Sequence, residues 1–403
     1  MTLGVKVPAP GLGGAPPGSA WFCRRFCTTM AARAEPLRGR QVWTGAELGA
    51  DRSWIRAWPA GALEDIHAAF LALPSPLGAD VAHLTVADFP LPRLRPFFDE
   101  VQAELEDGRG VVRLQGFPVE RYTEEECRAI FWCLSRHLGT PAASPPRPGF
   151  MGEVKDLADT DTLVAQQLAE AQRDGDAGVV LASAARAQST GPLRFHTDPF
   201  DLILLMALSV GADGGLSKLA SQPHVYNQVL RRRPDLHPLL CQDVARMRPG
   251  DETTVPDEVF HLPPMMVRQG KTANTQYSRT YVEQAQERAA EFGVQLHTPA
   301  HNEALDLLAE IAEESCVTMP FATGDLQIVN NHNCFHGRTA YSDDRAAAGG
   351  RRKLLRLWLQ VDQPRLLPEG AAELRARGIR ADADELLGQG LLQGQAGEGI
   401  ARL

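Results

Sequence analysis

Apolar residues recur at helical spacing in two N-terminal stretches, 61–73 (GALEDIHAAFLAL) and 91–106 (LPRLRPFFDEVQAELE), the second entered through a Pro-rich turn. Residues 35–60 show no sustained period and read as an irregular lead-in. In GRGVVRLQGF (108–117) a glycine turn, a β-branched run and another glycine predict a strand. TEEECRAIFWCLSRHLG (123–139) predicts a helix, with Thr123 and Glu126 spaced as a capping box and Gly139 as the stop. Residues 140–150 are a Pro-rich loop. Residues 156–190 are rich in Ala, Asp and Gln and poor in large apolar groups; they hold one surface-helix pattern and read as an inserted loop or lid. From 191 onward strands alternate with turns, interrupted by helices near 224–233, 279–292 and 302–315. DLQIVNN (325–331) and KLLRLWLQV (353–361) are the clearest strands. The tail 367–403 turns Glu/Ala-rich, then Gly/Gln-rich, and reads as a frayed helix followed by disorder.

Composition narrows this α+β pattern without changing it. The 403 residues are 44% apolar and 23% charged, enough to bury a large core, and no apolar run approaches a membrane span. A net charge of −9 with no basic block argues against nucleic acid, whose affinity depends on phosphate neutralisation. Arg231-Arg232-Arg233 reads as a solvated helix end. The seven cysteines are odd in number and lack metal-knuckle spacing, which suggests reduced thiols and a cytoplasmic setting. Residues 1–34 contain Lys6, Arg24, Arg25 and Arg33 and no acid. They are either a disordered tail or an organellar transit peptide, in which case the compartment is a mitochondrion or another organelle. Oligomeric state leaves no mark in the sequence.

Three segments carry candidate chemistry. In RFHTDPFDLILL (194–205), His196 and Asp198 sit two apart at the start of an expected strand, and period 2 puts both on one face, where they can chelate a divalent metal. The bland alternative is a buried histidine bonded to a nearby aspartate. In DLQIVNNHNCFHGRTAYSDD (325–344), one more imidazole would complete two histidines and a carboxylate, a facial triad that leaves positions open on iron(II). His332 competes with His336 for that place; the tight CFHGR setting favours His336. In RRKLLRLWLQ (351–360), alternation places Arg352, Leu354, Arg356 and Trp358 on one face and Leu355, Leu357 and Leu359 on the other. Arginines on a core strand are costly unless paired, either with a buried acid or with a ligand carboxylate clamped by two parallel bonds.

Taken in order, GVVRLQGFPVERYTEEE, SRHLGTP, RFHTD, GADGGLSKLASQPHVYN, GDLQIVNNHNCFHGRTAY and RRKLLRLWL resemble the taurine dioxygenase/TfdA-type family of iron(II)- and 2-oxoglutarate-dependent oxygenases. The resemblance covers about 110–361, with a family-like gap of about 140 residues between HTD and the distal histidine. It implies a double-stranded β-helix, or jelly roll, with flanking helices over 35–366. It implies iron on His196, Asp198 and His336, and Arg352 on the far carboxylate of 2-oxoglutarate. Ser217 in GGLS supplies the co-substrate hydroxyl contact, and Arg356 faces an anionic or polar small-molecule substrate. Asn331 is supporting or structural. The expected reaction consumes O2 and releases succinate and carbon dioxide. The long 156–190 segment and Leu216, where an acid is common, depart from the family pattern. A cupin-like dioxygenase without 2-oxoglutarate would keep the three ligands but have no need of Arg352; a non-catalytic binding protein on the same scaffold predicts a broken triad, and this one is intact.

Overall fold

The computed structural model describes residues 34–74, 81–142, 150–156, 190–211, 213–248, 258–342, 351–362, 367–368 and 370–372. The expected leader over 1–34, lid over 156–190 and tail beyond 367 fall almost entirely outside the described residues. From Leu37 onward the described chain forms one compact unit.

Two sheets organise it. The larger has the strand order Ile55–Ala57, Val111–Gln115, Leu326–Asn330, Leu202–Ser209, Lys353–Gln360, Thr140–Ala142, with Met151–Lys155 also paired to Lys353–Gln360. The smaller runs Val317–Met319, Ser217–Ser221, Cys334–Arg338, Leu193–His196. All the pairings are antiparallel except that of Ile55–Ala57 with Val111–Gln115.

Alternation along each strand sorts the side chains into layers. Leu202, Leu204, Met206, Ile328, Leu355, Leu357 and Leu359 pack outward against the helices Ala62–Leu71, Arg95–Glu106 and Glu124–Arg136. Each such fully buried side chain contributes about 1.5–3 kcal/mol. On the other side, Phe195, Ala220 and Phe335 of the smaller sheet pack against the helices Gln222–Arg232 and Pro299–Ser315. Val111, Ile203, Val329 and Trp358 of the larger sheet meet Leu219, Met319 and Cys334 of the smaller. The result is four layers, helix–sheet–sheet–helix: a mixed α and β chain with a jelly-roll core.

Local expectations mostly hold. Thr123 and Glu126 form the capping box of Glu124–Arg136, and Lys353–Gln360 is a strand with the expected alternation. Two corrections follow. The lead-in over 35–60 is not irregular throughout: it contains the helix Gly45–Ala50, capped by a Thr44–Glu47 box, and the strand Ile55–Ala57. His196 and Asp198 do not open a strand. His196 ends Leu193–His196 and Asp198 lies in the link to Leu202–Ser209, because Pro199 has no N–H to continue a ladder. Among the described residues, no helix is long and apolar enough to cross a membrane.

Candidate active site

Strand register assembles the site. His336 pairs directly with His196 across adjacent strands, and Ser278 bridges His196 on its other side. Directly opposed residues point to the same face, so the two imidazoles meet with ring centroids 4.3 Å apart. Asp198 closes the group: its Oδ1 is 3.8 Å from His196 Nε2 and its Oδ2 is 3.4 Å from His336 Nε2. One nitrogen or oxygen from each of the three lies within 4.8 Å of the others, and among the described residues these form the one cluster able to hold a metal.

The nitrogens are set up for that role. His196 Nδ1–H donates to the Arg194 carbonyl at 2.9 Å, which fixes the tautomer and leaves the Nε2 lone pair facing Asp198. Burial, and then the neighbouring His336, lower the His196 pKa to about 4, so the ring is neutral near neutral pH, the state a metal ligand needs. Burial works against the Asp198 carboxylate, but the adjacent His336 imidazole, and then His196 and Arg356, outweigh it and hold the group well below the usual carboxylate range. His336 Nδ1 is buried and has no partner among the described residues. Two borderline nitrogens and one carboxylate oxygen, grouped this tightly, suit iron(II).

Asp198 is held on every side. Trp358 Nε1–H donates to its Oδ2 at 2.8 Å, its N–H donates to Asn331 Oδ1 at 3.1 Å, and its carbonyl accepts from Asn274 Nδ2 at 2.8 Å. Asn331 therefore holds the backbone of Asp198. Trp358 and Asn274 were not expected as supports. Trp358 shares a strand face with Arg356, the only signal the sequence offered.

His332 does not compete. It is fully buried; its Nδ1 accepts from the Asn274 N–H at 2.9 Å and its Nε2–H donates to Asp201 Oδ1 at 2.7 Å. Both nitrogens are engaged in holding the link that carries Asp198.

The arginines lie on the inter-sheet face of Lys353–Gln360 and just before it. The Arg356 guanidinium sits 4.5 Å from the Trp358 ring, and its charge favours ionised Asp198 and neutral His196. Arg352, 5% exposed, lies 5.2 Å from the ring of Tyr341. Each arginine rests on a glycine. A Cβ on Gly215 would stand 3.0 Å from Arg352 Nε, and one on Gly152 would stand 3.2 Å from Arg356 Nε. Ser217, two residues beyond Gly215, is buried and accepts from Gln327 Nε2 at 3.1 Å. A further buried arginine, Arg338, shares the His336 face two positions on and covers the same Tyr341 ring at 4.7 Å. The expected residues thus fall into two groups along one inter-sheet space: the triad with Arg356, and Arg352 on Gly215 with Ser217 close in sequence.

Comparison with known proteins agrees. The model of the taurine catabolism dioxygenase TauD, TfdA family matches residues 71–358. FR-33289 synthase of Streptomyces rubellomurinus (strain ATCC 31215) is 27% identical over 353 residues, 87% of this chain and 97% of that protein. The taurine hydroxylase-like protein SAT17 of Stachybotrys chartarum is 26% identical over 369 residues, 90% of this chain and 89% of its own. Among solved structures, an asparagine oxygenase with Fe(II), 2S,3S-3-hydroxyasparagine and succinate superposes with a TM-score of 0.53 at 16% identity, covering 76% of this chain and 93% of that one. The non-heme iron oxygenase OrfP with Fe and alpha-ketoglutaric acid gives 0.52 at 13%, covering 76% and 94%; at such identities these two share the fold. The chain belongs to the taurine catabolism dioxygenase TauD, TfdA family and is an iron(II)- and 2-oxoglutarate-dependent dioxygenase.

Proposed function

We propose that the protein hydroxylates a small molecule at an iron(II) held by His196, Asp198 and His336, with 2-oxoglutarate bound by Arg352 and Ser217. The observation that carries this is the triad, whose His196 tautomer is fixed by the Arg194 carbonyl and whose carboxylate is held by Trp358. We read the two facing sheets as a double-stranded β-helix around that site. Arg352 is the clamp for the far carboxylate, its guanidinium placed by the room Gly215 leaves. Bound iron and 2-oxoglutarate supply the oxidising power, with succinate and carbon dioxide as co-products. The chain's own part is to orient the co-substrate, keep the His196 imidazole neutral and exclude bulk water.

The Arg356 charge acts on both Asp198 and His196, so the substrate carries an anionic or strongly polar group. The printed names of the relatives, a synthase and a hydroxylase-like protein, fit a small-molecule role. The described cysteines are free, which fits a reducing, cytoplasmic setting.

An anaerobic titration with iron(II) and 2-oxoglutarate tests the reading by following the visible metal-to-ligand absorption band. The band is expected in the wild type and absent in His196→Ala. Iron binding without a band would favour the cupin-like alternative; no iron binding would favour a non-catalytic scaffold.

A further inference from the structure

The strand Leu326–Asn330 sends Gln327 into the space between the sheets, where it is 1% exposed. Its Nε2 donates across that space to Ser217 Oγ at 3.1 Å, and its Oε1 is buried with no partner among the described residues. Ser217 is itself 5% exposed. With a lone pair taken by Gln327, its own O–H has no acceptor among the described residues. A buried hydroxyl hydrogen without an acceptor is unfavourable in the empty protein. It becomes favourable when a ligand brings an acceptor.

The surroundings say which ligand. Arg352 packs against Gly215, two residues before Ser217, so a cation reaches the segment that carries the unengaged O–H. That pairing suits a carboxylate, which accepts only and has two oxygens to satisfy. The amide of Gln327 then decides which way the hydroxyl hydrogen points. As a donor it leaves the hydrogen to the ligand; as an acceptor it would take that hydrogen away.

We propose that Gln327 is a positioning residue for the co-substrate: by donating to Ser217 it aims the Ser217 hydroxyl at the carboxylate that Arg352 grips. This rests on the reading of Ser217 and Arg352 as 2-oxoglutarate contacts. Among the described residues, the Gln327 side chain hydrogen-bonds Ser217, and it acts through that hydroxyl.

A double-mutant cycle tests it, with 2-oxoglutarate affinity measured anaerobically on the iron-loaded protein by calorimetry, and iron affinity and melting temperature as parallel readouts. Ser217→Ala is expected to weaken 2-oxoglutarate about tenfold. Gln327→Met is expected to weaken it about fivefold in the wild type and less than about twofold in Ser217→Ala, with iron affinity unchanged. Gln327→Glu, equal in size and an acceptor only while ionised, is expected to weaken it more than Gln327→Met does at a pH where that carboxylate is ionised. Equal losses from Gln327→Met in both backgrounds would overturn the inference and leave the Ser217 assignment standing. An unaltered affinity in Ser217→Ala would overturn that assignment and the inference with it. Should Gln327→Met not fold, Gln327→Glu decides: wild-type affinity in that variant refutes the proposal.

Discussion

Two polar regions of the inter-strand core lie four residues apart in sequence and behave oppositely. Around His332 every ring nitrogen has a fixed partner, and Asp201 answers with Oδ1 on the imidazole and Oδ2 on the Val361 N–H at 3.0 Å. Around His336 one ring nitrogen is buried without a partner among the described residues, and the other faces a carboxylate 3.4 Å away, beyond a good hydrogen bond. The first region is complete as it stands. The second is complete only with something added. Burial alone does not mark a functional histidine; burial with unengaged atoms does.

Breaking each region should therefore be felt in different measurements. The largest effect belongs to His336→Ala: turnover falls on the order of 1,000-fold or more and iron(II) binding is lost, while the metal-free protein unfolds near its wild-type midpoint. Retained iron binding would put the metal elsewhere. His332→Ala leaves Asp201 buried without its imidazole and should cost about 3–5 kcal/mol of stability in denaturant unfolding. A midpoint unmoved by that substitution would mean the closed network contributes little. Arg352→Ala removes a bidentate clamp and should weaken 2-oxoglutarate on the order of 100-fold by anaerobic titration, with iron binding kept. Trp358→Phe removes one hydrogen bond from Asp198 and should lower iron affinity roughly tenfold, the scale expected for a group that orients a ligand.

The smallest effect is in pH. His196 titrates near 4 in the folded protein against an ordinary 6.5. As pH falls through 6.5 the unfolded chain takes up the proton first, so stability of the metal-free protein is fully present above 6.5 and declines toward about 4. Asp198, held low, adds loss in the same direction below its ordinary 3.8. The decline between 6.5 and 4 should be shallower in His196→Ala; an identical slope would remove His196 as its source.

Much of this was legible in the chain. Period 2 in KLLRLWLQ sorted Leu355, Leu357 and Leu359 from Arg356 and Trp358, because a strand's faces follow from its own sequence. Thr123 and Glu126 announced their helix for the same local reason. The box at Thr44 and Glu47 was equally present but heads only six residues, too few to show a stripe. What stayed hidden depends on partners far along the chain. Nothing near His332 discloses Asp201 or Asn274, and nothing near Trp358 discloses Asp198. Nor does the spacing of His196 and Asp198 reveal that Pro199 ends the ladder between them and the next strand.

The pairing of His196 with His336 also fixes when the site can exist. The two strands are separated by most of the C-terminal half of the chain, including the helix Pro299–Ser315, and they meet only after that intervening segment has been laid down. Such contacts carry a large closure entropy and form late in folding. The ion therefore enters a finished cavity and does not nucleate one. Refolding without metal should yield protein that loads fully afterwards, and iron present during refolding should leave the rate unchanged.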